Sequence, residues 1–201
     1  MPVTSLKFRD VSDGNVIGNR RFRESAGIRA TYEWECYDGS GTLKWKDRNH
    51  NLVVNEGLTQ LLKRGFAGSE ISSFTTWKVG LVSGSSVSPS AAWIYDTLPS
   101  HFTEATAYSG SRQAATWGSV ASQAVDNSGS KASFTVTGSS QVTVCGAFLA
   151  SGPNAGTKGD HTGGDANCLY SVSEFSSGAK TLDPADVLKV TITLSAADDG
   201  A

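Results

Sequence analysis

Leu188-Lys189-Val190-Thr191-Ile192-Thr193-Leu194 sets four apolar side chains against three polar ones in strict alternation, the two-residue period of a half-buried β-strand. The same period recurs along the chain. Tyr32, Trp34 and Cys36 alternate with Glu33 and Glu35, the turn residues Asp38, Gly39, Ser40 and Gly41 follow, and Leu43 and Trp45 then alternate with Lys44 and Lys46. That order predicts a β-hairpin. Its polar faces would pair Glu33 and Glu35 with Lys44 and Lys46 across the ladder and help to fix register. Trp77, Val79 and Leu81 alternate with Lys78 and Gly80, and Ala132, Phe134 and Val136 alternate with Ser133 and Thr135. The run 142–149 is apolar on both faces apart from Thr143, as expected of a central strand covered on two sides.

One helix is expected among these strands. Asn55 is placed to cap its first turn, Leu58, Leu61, Leu62 and Phe66 make one apolar stripe, Lys63 and Arg64 suit the C-terminal end of the dipole, and Gly68 supplies a stop. The stripe is expected to face the core. Between the elements lie three turn-rich segments, 83–90, 126–130 and 151–164, dense in Gly, Ser, Pro or Asn. Short strands at irregular spacing with a single helix predict an all-β fold, an antiparallel β-sandwich of jelly-roll or immunoglobulin-like kind. Residues 1–29 show no sustained period and read as an extended arm, leaving 30–201 as the sandwich domain.

Composition excludes several classes of function. A net charge of -2 and a pI near 5.9 argue against a surface devoted to nucleic acid, which requires a large basic excess. The charge is uneven: Lys7, Arg9, Arg20, Arg21, Arg23 and Arg29 face Asp10, Asp13 and Glu24 within residues 1–29, so that segment is +3 and the remainder -5. No stretch approaches the length of a membrane span, and the N-terminal residues lack the apolar core of a secretion signal, so cytoplasmic synthesis is expected. Cys36, Cys145 and Cys168 form an odd set without C-x-x-C spacing, and the first two are expected to be buried free thiols.

The sequence offers little reactive chemistry. His50, His101 and His161 have no H-x-x-x-H or H-x-H partner, and Asp160, His161, Asp165 and Cys168 share one Gly-rich segment without a known ligand spacing, so no metal or cofactor is expected. The stretch 152–158 lacks the order of a phosphate loop, and no G-x-S-x-G elbow occurs. Five tryptophans offer stacking surfaces. Trp34, Trp45 and Trp77 fall on apolar faces and read as core, whereas Trp93 and Trp117 sit in polar, turn-rich surroundings and are candidates for an exposed interface. The cluster Arg20, Arg21, Phe22 and Arg23 would suit docking on an acidic protein surface through bidentate pairs.

Three stretches carry a resemblance: 32–38 (Tyr-Glu-Trp-Glu-Cys-Tyr-Asp), Leu43-Lys44-Trp45, and above all 50–58 (His-Asn-Leu-Val-Val-Asn-Glu-Gly-Leu). Together with 76–81, 102–104, Ala107-Tyr108, 146–149 and the closing strand, they resemble a widespread group of tailed-bacteriophage virion proteins over roughly residues 30–195. The resemblance implies a particle component with no catalytic residues to carry over. The expectation is a head decoration, or cement, protein: a non-enzymatic homotrimer or other small cyclic oligomer bound to the major capsid protein on the outer head surface, with residues 1–29 ordering on the shell. A tail or fibre component is the alternative, with Trp93 and Trp117 facing a glycan, and a carbohydrate-active enzyme is the rival from another class.

Overall fold

The computed structural model describes residues 26–67 and 76–198. Among them run twelve strands and one α-helix: β1 (Ala26–Tyr37), β2 (Leu43–His50), β3 (Leu52–Val53), α1 (Asn55–Leu62), β4 (Trp77–Ser83), β5 (Thr103–Ala105), β6 (Gln113–Ala114), β7 (Ala124–Asp126), β8 (Ala132–Thr135), β9 (Val142–Ser151), β10 (Cys168–Glu174), β11 (Lys180–Leu182) and β12 (Val187–Asp198). All pairings are antiparallel. One sheet has the order β2-β1-β12, with β7 and β8 both against the outer side of β12; the other runs β3-β10-β9-β4, with β5 and β6 against β4 and β11 against β9. Asn127 fills the gap between β7 and β8, its Oδ1 accepting from the Ile192 N–H at 2.7 Å and its Nδ2 donating to the Val190 carbonyl at 3.3 Å.

The two sheets face each other across a core that alternation dictates. Tyr32, Trp34, Cys36, Phe134, Leu188, Val190 and Ile192 meet Val79, Leu81, Val144, Ala147, Leu149 and Tyr170 in one buried cluster. Trp34 meets Phe175 edge-on at 4.8 Å between ring centroids. β9 is apolar on both faces because a second cluster covers its other side: Cys145, Phe148 and Ala150 pack with Trp93, Tyr95 and Leu98 from the segment between β4 and β5. The fold is therefore an all-β sandwich with a third, irregular layer over the seven-stranded sheet.

The arm expected over 1–29 falls on residues 1–25, outside the described residues, and on Ala26–Arg29, which form the start of β1 paired with β12. The hairpin of β1 and β2 forms as expected, but its charges pair differently. Lys46 meets Glu35 at 2.7 Å and Arg48, not Lys44, meets Glu33 at 3.3 Å. The register explains the change: Cys36 pairs with Trp45 and Tyr37 with Leu43, so Lys44 is the extra residue of a bulge, a device that re-aims a side chain. Lys44 reaches the turn before β12, bonding Asp183 at 2.7 Å and the buried Asp186 at 2.6 Å.

Glu35 collects three donors, Lys46, Lys131 and the Tyr37 hydroxyl. Hydrogen bonds from Lys131 and Lys46 pull its carboxyl from the ordinary 4.5 down to about 2. A lowered carboxylate pKa stabilises the fold above the unfolded value and loses that contribution as pH falls through the folded one. Thermal melts across pH should therefore show wild type losing its advantage over Glu35→Gln between pH 4.5 and about 2. Parallel acid limbs would count against this pairing.

All three cysteines are free and buried. Burial pushes the Cys145 thiol up to about 11 and the Cys36 thiol up to about 12, so neither is a nucleophile at neutral pH.

Candidate interaction surface

α1 departs from its expected orientation. Its N-cap is Val54 without a side-chain cap, while the Asn55 N–H donates to the Ala91 carbonyl at 2.9 Å. Glu56 in the first turn ties the helix down, its Oε2 accepting from the backbone N–H of Tyr95 at 3.0 Å and of Leu169 at 2.6 Å. The contact with β10 is made by Gly57: a Cβ there would lie 2.7 Å from the Tyr170 carbonyl oxygen and 2.9 Å from its Cα. With the helix backbone that close to the strand, Gly57 and Leu61 face inward and the remaining stripe turns outward.

Leu58, Leu62 and Phe66, spaced by four, are 36%, 61% and 88% exposed, the last lying in a π-helical turn over Lys63–Ala67. The stripe expected to be core is thus largely solvent-facing. Beside it, at the open end of the sandwich, Ile28, Leu61, Val120, Val125, Tyr170 and Leu194 line an apolar groove of about 210 Å³, and Val120 is 75% exposed. Scattered exposed apolar residues are ordinary, but a contiguous set on one side of a molecule marks a contact surface.

The Gly-rich segment before β10 is built around a buried ion pair. Arg112, with a fully buried side chain, donates from Nε and Nη2 to the two Glu104 oxygens at 2.7 and 2.6 Å. Its remaining donors reach the Tyr95 hydroxyl at 2.6 Å and the carbonyls of Ala155 and Asp160 at 3.2 and 3.1 Å, and the guanidinium lies 5.0 Å from the Phe148 ring centroid. Glu104 also accepts from the Gly159 N–H at 2.7 Å. Lys158 donates to the carbonyls of Thr106 and Tyr108 and lies over the Tyr108 ring. These contacts fix 152–161 against β5 and the segment before β6.

His161 completes the cluster. Its Nε2 lies 3.1 Å from Arg112 Nη2 and 3.5 Å from Glu104 Oε2, beside both members of the ion pair. Burial first, then the Arg112 charge, keeps this imidazole below its ordinary pKa, against the pull of Glu104. Nδ1 is buried without a hydrogen-bond partner; the Gly159 carbonyl favours the charged ring but is not in bonding geometry. Each polar atom of the guanidinium and carboxylate is engaged by the protein, so the cluster reads as a structural clasp. Asp160 bonds the Thr162 N–H and hydroxyl, and the Cys168 thiol faces the Leu169 carbonyl. Among the described residues no three His, Cys, Asp or Glu side chains converge as for a metal ion.

The chain matches no known family model, no curated protein and no solved structure.

Of the residues singled out in the sequence, Arg20, Arg21, Phe22 and Arg23 lie outside the described residues. Trp93, expected at an exposed interface, is buried: it stacks on His101 with centroids 4.4 Å apart and planes 6° from parallel, and packs beside Phe102. Both flank the turn Tyr95–Ser100, which folds back over the seven-stranded sheet and brings the tryptophan into the second core. Trp117 is half-buried against the main core. Neither ring is an open platform. Arg112 and Glu104 were not anticipated; the available signal was that Arg112 is the sole charged residue between Ala105 and Val125, as befits a cation placed for one buried partner.

Proposed function

We propose that this chain is a structural component of a tailed-phage virion, specifically a head decoration protein that binds the major capsid protein on the outer shell and acts without turning over a substrate. The resemblance of residues 30–195 suggests the virion, and one observation favours a protein made to be held by neighbours: the exposed stripe Leu58, Leu62 and Phe66 beside an apolar groove. An apolar contact repeated at every lattice position suits decoration, because many weak symmetric contacts combine into tight retention through avidity. Copies assembled as a small cyclic oligomer would strengthen that effect by presenting several stripes at once.

Undecorated heads of the encoding phage, incubated with purified protein and sedimented, test this. The double variant Leu62→Ser/Phe66→Ser should keep its unfolding free energy within about 0.5 kcal/mol, since both side chains are exposed, and lose head binding by roughly tenfold or more, as truncated apolar anchors do. Undiminished binding by the variant would remove the stripe from the interface, and absence of the chain from intact virions would remove the reading itself.

A further inference from the structure

Among the described residues, the first part of β1 is paired on one side only. The strand pairs with β12 over all twelve residues, from Ala26↔Asp198 to Tyr37↔Val187, while β2 covers it only from Thr31 to Tyr37. Asn51 extends the cover by one residue: its N–H donates to the Ala30 carbonyl at 3.0 Å and its Oδ1 accepts from the Ala30 N–H at 3.1 Å. The peptide groups of Ala30 thus point away from β12. Because a strand repeats every two residues, those of Ile28 and Ala26 point the same way. Among the described residues nothing pairs with them on that side.

The surroundings are those of a docking edge. Ile28, Arg29, Ala30, His50 and Asn51 line a cleft of about 270 Å³ along it, and Asn51 Nδ2, shielded from water, has no hydrogen-bond partner. Ile28 also contributes to the apolar groove with Leu61, Val120 and Leu194. Elsewhere this sheet guards its border: β2 carries Lys44, Lys46 and Arg48, the charges that keep an edge from pairing. Ala26–Ile28 carries none.

We propose that this edge pairs with the same edge of a second copy, antiparallel about a two-fold axis through Gly27. In that register Ile28 of each copy stands opposite Ala26 of the other, and the outward N–H and C=O groups of both residues form four backbone hydrogen bonds. The edge is self-complementary, as a two-fold contact requires, and needs no foreign sequence to satisfy it. Gly27 meets Gly27 in the narrow, non-hydrogen-bonded spacing of about 4.5 Å between Cα atoms. The two five-stranded sheets become one, with both Ile28 side chains and both grooves on the same face. The product is a dimer, in place of the trimer that the resemblance suggests.

Sedimentation of the full chain over a range of concentrations tests this and is independent of head binding. The expected species has twice the chain mass of 21.0 kDa. Gly27→Asp puts two carboxylates across the axis and Gly27→Lys two ammoniums, and each should weaken the dimer by roughly tenfold or more, like charges opposite one another being unfavourable. An equimolar mixture of the two variants should restore association as a mixed pair. A Cβ at Gly27 meets nothing within 4 Å, so both variants should keep the fold and melt with the wild type at concentrations low enough for the wild type to be monomeric. A monomer at all concentrations, a trimer, a dimer indifferent to both substitutions, or a mixture that fails to associate would each overturn the proposal.

Discussion

Replacing Arg112 with methionine is expected to lower the unfolding free energy by about 3–5 kcal/mol, the range for removing one partner of a buried ion pair. The cost comes from what remains. Glu104, with a side chain 2% exposed, would be stranded without its two guanidinium bonds, the Gly159 amide being its remaining strong donor. The Tyr95 hydroxyl and the carbonyls of Ala155 and Asp160 would lose a donor at the same time. Urea denaturation followed by tryptophan fluorescence measures the loss. Adding Glu104→Gln to Arg112→Met should recover more than half of it, because the second change removes the stranded charge. A single variant within about 1 kcal/mol of wild type would mean that water reaches the cluster and replaces the lost bonds, contrary to a dry clasp.

Gly146→Ala should be comparably severe, costing about 3 kcal/mol or more, the upper end for overpacking a core. A Cβ at this position runs into the Ser173 carbonyl oxygen and lies 3.1 Å from Glu174 Cα. Those atoms belong to the backbone of β10, which is paired with β9 at this point, so no side-chain rotation relieves the clash. The strands must separate locally or shift register. Gly129→Ala is the matched control: a Cβ there meets nothing within 4 Å and its φ is ordinary, so its stability should stay within about 0.5 kcal/mol of wild type. Equal effects from the two would show that the close approach of β9 and β10 carries no stability.

The strands that alternation marks are the ones built from apolar and polar residues in turn. β12, β1, β2 and β8 bury one face and wet the other, so their period survives in the sequence, whereas β4 buries Gly80 and Val82 under the third layer as well as Val79 and Leu81 in the main core. β10 was missed because Ser171 and Ser173 occupy buried positions there. Each is reconciled with its surroundings by a partner distant in sequence, the Tyr32 hydroxyl at 2.8 Å from Ser171 and the His50 carbonyl at 3.4 Å from Ser173. No local pattern encodes that.

The helix illustrates the opposite limit. Its apolar period is real, yet Gly57 decides which side meets the sheet, because only a residue without a side chain lets the two backbones approach so closely. Leu58 and Leu62 then fall outside. Periodicity gives the spacing of a stripe; the direction in which it points depends on the smallest residue in the contact. The reading of Trp93 failed for a related reason: its polar sequence neighbours fold into a third layer whose underside is apolar. The Arg112–Glu104 pair left almost no trace, since the cluster that buries it is completed by Ala155, Asp160 and His161, distant in the chain.

The full-length pairing of β1 with β12 joins strands separated by most of the chain. During synthesis β1 and its hairpin partner β2 emerge long before β12 does, and β7 and β8 have nothing to pair with until it arrives. The seven-stranded sheet lacks this dependence: β3, β4, β9 and β10 are all complete in the chain by residue 174. Folding should begin there, with the Trp34 face of the hairpin waiting on the last strand, a non-local closure of the kind that slows β-proteins. A chain truncated before Val187 would therefore expose the inner surface of one sheet, and would be prone to aggregate rather than merely less stable.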